Sequence, residues 1–190
     1  MNVTARVLLT WTTLLFIAPI DSLDHRLQRS IQWSRSAPLE TPMRMASSGC
    51  NGTTLAGGLL AVALLGGGAG VITARTAVLA LVPTNLAVES LKRLTVRTRP
   101  DGEKRRSNSS FPSSHAANAF ALAVVLARRW RRAAVPLGVA AAVVGYSRLY
   151  LNRHFASDVL VGALIGAVCA WAVAGWAERR WRAGSRPSRA

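Results

Sequence analysis

The chain is poor in the residues on which disulfide-linked and metal-binding domains depend. Of its 190 residues only 2 are cysteine and 3 are histidine, and no CxxC pair or Cys/His cluster indicates a zinc site. Cys50 falls in a polar segment and Cys169 lies deep in the last apolar run, so we expect both thiols to be unpaired. The sequence therefore predicts no disulfide and no metal site, and it indicates no cofactor.

Acidic residues are also scarce, with 8 Asp and Glu against 24 Lys and Arg, which gives a formal net charge of +16. An excess of this size indicates an anionic partner, which is nucleic acid, anionic lipid or an anionic substrate. Nucleic-acid-binding proteins usually carry their basic residues on a polar, water-soluble face. Most basic residues here lie between apolar runs, so the pattern favours lipid headgroups and a phosphate substrate over nucleic acid.

Long apolar runs make up much of the chain. Hydrophobic residues make up 51% of the chain and its mean hydropathy is +0.25, which are high values for a soluble domain. The predicted fold is all-α, a single domain over residues 1–190 that forms a polytopic membrane helix bundle with about six transmembrane helices. The six apolar segments are residues 3–20, 54–74, 76–91, 114–127, 133–150 and 155–177.

The first apolar segment has two interpretations. Arg6 followed by an apolar stretch and Ala18 is compatible with a secretory signal peptide. Proline directly after the candidate cleavage residue makes a poor cleavage site, so we interpret residues 3–20 as an uncleaved helix.

Three further features concern helices and their packing. Residues 21–53 are polar to amphipathic, with Leu23, Leu27 and Ile31 at helical spacing, which predicts an additional amphipathic helix at the membrane interface. The glycine-rich stretch 55–70 has no phosphate-loop lysine after it, so we interpret its glycines as sites of close helix packing. The fourth apolar segment would be only about 21 Å long as a helix, so we expect its first residues to start below the membrane surface.

Charged and polar residues stand at the borders of three apolar runs, where a charge is costly unless it is used. In the first group Lys92 and Arg99 are seven positions apart, close to two helical turns, so they can share one helix face. Pro100 disfavours helix at Arg99, so we expect the helix to end there with both cations directed at an anion. A basic juxtamembrane stretch that contacts lipid headgroups is the alternative.

The second group precedes the fourth apolar segment, where Pro112 is followed by Ser113, Ser114 and His115. Serines at a helix start satisfy backbone donors, and free amides there bind phosphate. We expect the Ser113 hydroxyl and the amides of Ser114 and His115 to bind phosphate oxygens, with His115 close enough to protonate a leaving oxygen. The alternative is that the serines only cap the helix and His115 is an interfacial residue.

The third group joins the fifth and sixth apolar segments. Arg148 ends one segment, and His154 and Asp158 follow at a spacing of four, which puts both on one helix face. A carboxylate there can accept the proton of one ring nitrogen and leave the other free to attack. Asn152 suits the left-handed conformation in the intervening turn. An interfacial ion pair is the alternative, which is weaker because the same turn presents Arg148.

Together the three groups suit phosphoryl transfer without a metal. A phosphoryl group in transfer spreads negative charge over its equatorial oxygens, which the three cations of these groups would stabilise. His154 would attack phosphorus in line with support from Asp158. His115 would give a proton to the leaving group and later serve as the base for water.

Charge counts do not orient the predicted bundle by themselves. With six crossings, 11 basic residues lie on the side of the two chain ends and 13 on the other side. Seven of the 13 lie in residues 92–106, beside the predicted site, whereas the clusters in residues 128–132 and in the tail 178–190 have no such role. We therefore expect those two clusters to face the cytoplasm.

The three groups resemble the signature of the type 2 phosphatidic acid phosphatase superfamily, which reads K-x6-RP, PSGH and SR-x5-H-x3-D. Residues 92–158 match it in order and spacing, with Ser114 where the signature has glycine. The resemblance implies the membrane-bound bacterial branch, whose members are lipid phosphatases. It implies a protein of the bacterial cytoplasmic (inner) membrane with its site toward the extracytoplasmic face, acting on a membrane-embedded lipid phosphate.

The resemblance leaves the substrate and the acceptor open. Bacterial relatives act on undecaprenyl pyrophosphate, phosphatidylglycerol phosphate, phosphatidic acid, lipid A or decaprenyl-phosphoryl-phosphoribose, and we favour a polyprenyl or glycerolipid phosphate. The alternatives are a lipid phosphotransferase of the same superfamily and a non-catalytic protein that binds anionic lipid. The apolar segments argue against the family's soluble vanadate-dependent haloperoxidases. Arg153, beside His154, either touches a second phosphate or headgroup or faces water.

Overall fold

The protein is represented by a computed structural model that describes residues 18–103 and 109–184, and within these ranges the fold is all-α, as predicted. Seven α-helices follow one another, and a short 3-10 turn at Arg131–Ala133 separates the fifth from the sixth. The helices are α1 (Ala18–Trp33), α2 (Ala37–Ser48), α3 (Gly52–Leu65), α4 (Gly67–Leu94), α5 (Ser114–Arg129), α6 (Ala134–Tyr150) and α7 (Ala156–Gly184).

Three stretches of the described chain are long and apolar enough to cross a membrane, namely Gly67–Leu94, Arg131–Tyr150 and Ala156–Arg180. A fourth is added if α2 and α3, which meet at a bend of 65°, count as one broken span. Helix α5 has 16 residues, about 24 Å at the usual rise, so it is short, as expected. The predicted crossing at residues 3–20 lies outside the described residues except for its last three, which begin α1.

Helix α5 forms the centre of the bundle because its alanines allow close packing. Ala116, Ala117 and Ala121 are fully buried, and α5 packs against α4, α6 and α7. Two glycines of α7 make part of this contact possible. A side chain at Gly162 would lie 2.4 Å from the Ser113 carbonyl oxygen, and one at Gly166 would lie 1.9 Å from that of Ala117. The two backbones therefore touch where α5 begins.

The predicted boundary between the second and third apolar segments, at Arg75, is wrong. Helix α4 runs through Arg75 without interruption, and the chain instead turns at Gly66 and Gly67. Gly67 has a φ of +57°, which favours glycine, and a side chain at Gly66 would lie 2.7 Å from the Val62 carbonyl oxygen. A single arginine therefore does not end the helix here, whereas two glycines that allow a turn do.

The glycine-rich stretch contributes less to helix packing than predicted. Gly57, Gly58 and Gly68 face open space, where an added side chain would meet nothing within 4 Å. Of this stretch, Gly70 packs closely, since a side chain there would lie 2.1 Å from the Val62 carbonyl oxygen. The close backbone contacts of α7 with α5 were not predicted.

The predicted amphipathic helix is present as α1, but its polar side faces the bundle. Asp24 and Gln28 are buried against α6 and α7, whereas Leu23 and Leu27 are about half exposed. The Gln28 side-chain amide donates to the Leu149 carbonyl at 2.9 Å and to the Asn152 side chain at 2.7 Å. Helix α1 therefore directs its apolar side away from the bundle and holds the α6–α7 turn with its polar side.

Basic residues gather at the end of the bundle opposite α1. Arg128 forms a bidentate pair with Glu178 of α7, with both distances 2.9 Å. Arg129 and Arg131 line a cavity of about 1050 Å³ at this end, between α4, α5, α6 and α7.

Cys50 and Cys169 are both free, as expected.

Candidate active site

The segment that carries Lys92 and Arg99 is only partly helical, which differs from the prediction. Helix α4 ends at Leu94, five residues before Arg99, and the Thr95 hydroxyl donates to the Leu91 and Phe111 carbonyls at 2.8 and 3.0 Å. The extended chain that follows is bonded to residues 109–111, and the Ser110 amide donates to the Arg97 carbonyl at 3.0 Å. These contacts end the helix before it reaches Pro100.

Arg99 is nevertheless brought to the same end of the bundle as Lys92. A tight turn at residues 99–103 is closed by hydrogen bonds between Arg99 and the backbone of Gly102 and Glu103, at 3.0 and 3.1 Å. Gly102 has a φ of +86°, which suits glycine. The Arg99 guanidinium is buried and donates to the Arg153 carbonyl at 3.1 Å. Arg99 is thereby fixed against the turn that precedes α7.

The start of α5 agrees with the predicted serine cap. Ser113 is fully buried, and its hydroxyl accepts from the Ala116 amide at 3.5 Å. Its own amide donates to the Asp158 carbonyl at 3.0 Å, which ties the start of α5 to the first turn of α7. Ser114 and His115 are half-buried in the first turn, where backbone amides have no partner within the helix.

The turn between α6 and α7 presents Arg148 and His154. Asn152 has a φ of +59°, which confirms the predicted left-handed conformation. The Arg148 carbonyl accepts from the amides of Arg153 and His154 at 3.0 and 3.3 Å, so the turn closes on the residue that carries the guanidinium. Both Arg148 and His154 are buried.

His154 is oriented by a different acceptor from the one predicted. Its Nδ1 lies 2.8 Å from the carbonyl oxygen of Ser110 and 3.6 Å from Oδ2 of Asp158, which is beyond hydrogen-bond range. A carbonyl can only accept, so the contact places the proton on Nδ1 and leaves Nε2 unprotonated. Burial lowers the pKa of His154 to about 4, so the ring is neutral at pH 7.

Asp158 is not on a helix face shared with His154, because α7 begins only at Ala156. Its Oδ2 accepts from the Ser110 hydroxyl at 2.5 Å and from the Phe155 amide at 2.8 Å. The second bond is one half of a capping box, in which the side chain of the third helical residue accepts from the backbone amide of the residue before the helix. Asp158 thus fixes the start of α7 and the segment that carries Ser110.

The predicted site residues come together at one end of the bundle. Lys92 lies within electrostatic range of Arg99, Arg148 and Asp158. His115 lies within electrostatic range of the three cations and of His154. The structure therefore brings the three sequence groups together at one end of the bundle, although α4 carries only the first of the cations.

The site contains three buried cationic side chains. Lys92, Arg99 and Arg148 are each less than 10% exposed. The Nε atom of Arg148 is buried and has no hydrogen-bond partner in the described part of the chain, while its Nη1 contacts the hydroxyl of Ser47 in α2. Within residues 18–103 and 109–184, no ion pair joins Lys92 to a carboxylate. A buried cation without an ion-pair partner is costly, so Lys92 and the unpartnered Nε edge of Arg148 are suited to bind an anion.

Four residues that support the site were not predicted as parts of it: Asp24, Ser47, Arg97 and Ser110. Arg97 forms ion pairs with Asp158 and Asp24, at 2.7 and 2.8 Å. Its position two residues before Arg99 in an extended segment was the available signal, but the segment was predicted as helix. Asp24 and Ser47 are distant in sequence, and only the packing of α1 and α2 brings them here.

Arg153 forms ion pairs with the turn at residues 99–103, which neither of its two predicted alternatives included. Arg153 pairs with Asp101 at 2.8 Å and with Glu103 at 3.0 Å. Its charge is therefore directed to these carboxylates.

In the described ranges no group of three or more His, Cys, Asp and Glu side chains is placed to hold a metal ion.

The sequence profile of the PAP2 superfamily matches residues 59–182, which is most of the chain and includes all three residue groups. The chain belongs to the PAP2 superfamily. The matched region leaves out α1 and α2, so two of the supporting residues, Asp24 and Ser47, lie outside the part that the family profile covers.

Curated PAP2 relatives are bacterial enzymes that match part of this chain. A lipid A 4'-phosphatase of Bacteroides thetaiotaomicron is 39% identical over 72 residues, which is 36% of this chain and 31% of the relative. Phosphatidylglycerophosphatase B of Bacillus subtilis is 34% identical over 102 residues, 47% of this chain and 50% of the relative. The matches thus span a third to a half of the relatives' lengths.

Solved structures of PAP2 proteins share the fold. LpxE from Aquifex aeolicus superimposes with a TM-score of 0.71 at 28% identity, covering 80% of this chain and 94% of that protein. The transmembrane PAP2-type phosphatidylglycerolphosphate phosphatase from Bacillus subtilis gives a TM-score of 0.74 at 22% identity, with 95% and 94% covered. The second likeness extends over nearly the whole chain and shows the membrane helix bundle.

Proposed function

We propose that this PAP2 protein is an integral membrane lipid phosphatase that hydrolyses a phosphomonoester or pyrophosphate through a phosphohistidine at His154. The observation that carries the proposal is the neutral, oriented His154 ring beside the buried cations Lys92 and Arg148, for which the described residues provide no ion pair. An unprotonated Nε2 is a nucleophile, and the surrounding positive charge attracts a phosphate to it. Lys92, Arg99 and Arg148 bind the phosphate oxygens, together with the first amides of α5 and the Ser113 hydroxyl.

In the first step Nε2 of His154 attacks phosphorus and forms a P–N bond, while the bond from phosphorus to the leaving oxygen breaks. His115 becomes protonated once the bound phosphate offsets the cations around it, and it gives this proton to the leaving oxygen, so an alcohol or a lipid phosphate departs uncharged at that atom. The negative charge on the equatorial oxygens stays against the three cations, which supply the stabilisation that metal ions give in other phosphoryl-transfer enzymes.

In the second step a water molecule attacks the phosphohistidine. His115, which has lost its proton, accepts one from the water as the P–O bond forms. The P–N bond breaks, Nε2 of His154 recovers its lone pair, and inorganic phosphate leaves. Each residue returns to its starting protonation state, so the cycle needs no external acid or base.

The surroundings of the site support a lipid as the substrate. The exposed side of α7 carries a stripe of Leu160, Leu164, Val168 and Trp171 that begins one half-turn after Asp158. A stripe of this kind faces lipid when the helix crosses a bilayer. The site therefore lies close to the level at which α7 enters the membrane, within reach of a phosphate that is attached to a membrane-embedded chain.

The named activities of the relatives support the same substrate class. They comprise lipid A phosphatases, a phosphatidylglycerophosphatase and an undecaprenyl-diphosphatase. We propose a polyprenyl or glycerolipid phosphate as the substrate. We also propose the bacterial inner membrane as the location, with the site toward the extracytoplasmic face, because the arginine cluster of residues 128–132 at the opposite end suits the cytoplasmic side.

The direct test is phosphate release by the purified protein in detergent from a panel of lipid phosphates. The panel contains undecaprenyl pyrophosphate, phosphatidylglycerol phosphate, phosphatidic acid and lipid A. Saturable release from at least one of them is expected, with inhibition by vanadate and no effect of EDTA. Binding of anionic lipid without release from any of them would contradict the proposal and favour the non-catalytic alternative. Transfer of phosphate to an added alcohol in preference to water would favour a phosphotransferase.

A further inference from the structure

Arg97 differs from Lys92, Arg99 and Arg148, the three cations that we propose to bind the phosphate, because protein groups occupy its guanidinium. Its Nη1 donates to Oδ1 of Asp158 and to the Ser157 hydroxyl, both at 2.7 Å. Its Nη2 donates to Oδ2 of Asp24 at 2.8 Å and to Oδ1 of Asp21 at 3.1 Å. Both ends of the guanidinium are therefore occupied by protein groups, and three carboxylates compensate its charge.

The planar guanidinium is also held by stacking. Its central carbon lies 4.5 Å from the centroid of the Phe155 ring, the residue directly after His154. Carboxylates thus bind the edges of the guanidinium, and an aromatic ring packs on its face. A cation that is held in this way does not bind a transferring phosphate, in contrast to Arg148, whose buried Nε has no partner in the described residues.

Asp158 depends on Arg97 for one of its two oxygens. Oδ2 is engaged by the Ser110 hydroxyl and the Phe155 amide, whereas Arg97 is the ion-pair partner of Oδ1. Asp158 is completely buried, and a buried carboxylate that loses its ion-pair partner is destabilised and moves or takes up a proton. The carboxylate position is therefore tied to Arg97.

The position of His154 follows from this arrangement. Asp158 holds Ser110 through its hydroxyl, and the Ser110 carbonyl holds Nδ1 of His154. Asp158 also holds the amide of Phe155, so it fixes the backbone on both sides of the imidazole. A shift of this carboxylate would displace the ring that we propose as the nucleophile.

Helix α1, which lies outside the part of the chain that the family profile matches, completes the arrangement. Asp24 is buried, accepts from Arg97 and from the Ser157 amide at 2.9 Å, and also bonds to the Ser157 hydroxyl. Arg97 and Ser157 thus connect α1 to the first turn of α7. The link uses a single planar side chain with two donor edges, a geometry that lysine does not provide.

We infer that Arg97 is a positioning residue for the proposed reaction: it bridges Asp24 to Asp158 and thereby keeps His154 aligned, without touching the substrate. This inference rests on the proposed function. It predicts that loss of Arg97 slows the chemical step and leaves substrate binding unchanged, since the phosphate-binding cations remain in place. It also predicts that Arg97 acts through Asp158.

The experiment is steady-state phosphate release by Arg97→Ala, Asp158→Asn and the double variant, with Arg93→Ala as the matched control. Arg93 is exposed and pairs with Glu89 at 3.2 Å, so its removal changes charge in the same segment without changing the site. We expect Arg97→Ala to lower kcat about tenfold to a hundredfold with KM within about twofold of wild type. Because both residues act through one contact, the double variant should be no slower than Asp158→Asn alone.

A kcat of Arg97→Ala within about twofold of wild type would overturn the inference, and so would losses that multiply in the double variant. If Arg97→Ala does not fold, the same kinetic measurement is made on Arg97→Lys, which keeps the positive charge but not the two donor edges. A fall in kcat at constant KM supports the bridging role, and a wild-type kcat overturns it. An inactive wild-type protein contradicts the proposed function, whereas an active wild type with a fully active Arg97 variant contradicts only the role of Arg97.

Discussion

Nδ1 of His154 lies 2.8 Å from the carbonyl oxygen of Ser110, and this contact defines which nitrogen of the ring is free. A backbone carbonyl cannot change its protonation state, so the tautomer does not depend on the charge of a carboxylate. Asp158 contributes by holding the Ser110 hydroxyl and the start of α7. Orientation of the proposed nucleophile is thus divided between a backbone acceptor and a buried acid.

This division predicts unequal effects of substituting the two residues. Asp158→Asn keeps the Ser110 carbonyl and therefore the tautomer, so we expect kcat to fall roughly tenfold to a hundredfold. His154→Ala removes the nucleophile and should lower kcat by at least about 10⁴-fold. Phosphate release under single-turnover conditions measures both. Equal losses for the two variants would contradict the role assigned to Ser110.

The buried cations predict where phosphate affinity resides. Lys92→Ala and Arg148→Ala should each weaken inhibition by vanadate at least about tenfold, because each removes a buried charge that has no ion pair within the described residues. Arg93→Ala is the control, since its side chain is 76% exposed and already paired with Glu89. The inhibition constant of vanadate in detergent is the measurement. Unchanged inhibition in both site variants would show that the anion binds elsewhere.

The lowered pKa of His154 predicts a loss of stability in acid. The ring has a pKa of about 4 in the folded protein because it is buried, while an unfolded histidine titrates near 6.5. The unfolded state therefore binds the proton first as the pH falls, and the cost to the folded state is about 2 kcal/mol at pH 5 relative to pH 7.5.

His154→Gln removes this proton uptake and is the matched variant. We expect the unfolding midpoint of the wild type to fall by roughly 4–8 °C more than that of His154→Gln between pH 7.5 and pH 5. Thermal unfolding in detergent at the two pH values provides the comparison. Parallel shifts for the two proteins would show that His154 is not protected from protonation by burial.

The contact between α5 and α7 predicts that two glycine substitutions have opposite effects. Gly166→Ala places a methyl group 1.9 Å from the Ala117 carbonyl oxygen, so the helices must separate and we expect a loss of about 1–3 kcal/mol or more. Gly58→Ala meets nothing within 4 Å in α3, so better helix propensity should leave stability unchanged or raise it by up to about 1 kcal/mol. Unfolding midpoints compare the two. A Gly166→Ala protein as stable as wild type would contradict this helix contact.

Much of the fold is predictable from the sequence because apolar runs of helical length have few alternatives in a membrane. Helices α5 and α6 begin and end within two residues of the predicted segments, and α7 begins one residue late. The start of α5 is especially clear, since Ser113 is a good cap and Pro112 precedes it. The break between α3 and α4 was misplaced because a glycine pair has no hydrophobic signal.

The residues that could act on a phosphate are also predictable, because each is a charged or polar group at the border of an apolar run. The contacts that orient them are not. Asp24 lies on a helix that was predicted only as an amphipathic helix at the membrane interface. The acceptor for His154 is a backbone carbonyl, which any residue at position 110 would supply. Such partners depend on how distant segments pack and have no local sequence pattern.

The most direct test of the central claim is the rate of phosphate release by His154→Ala, compared with wild type on a lipid phosphate that the wild type hydrolyses. Both proteins are assayed in the same detergent after their unfolding midpoints confirm that they are folded. The account predicts that release by the variant falls by at least about 10⁴-fold, to the background rate. Release within about tenfold of the wild-type rate would contradict a phosphohistidine at His154.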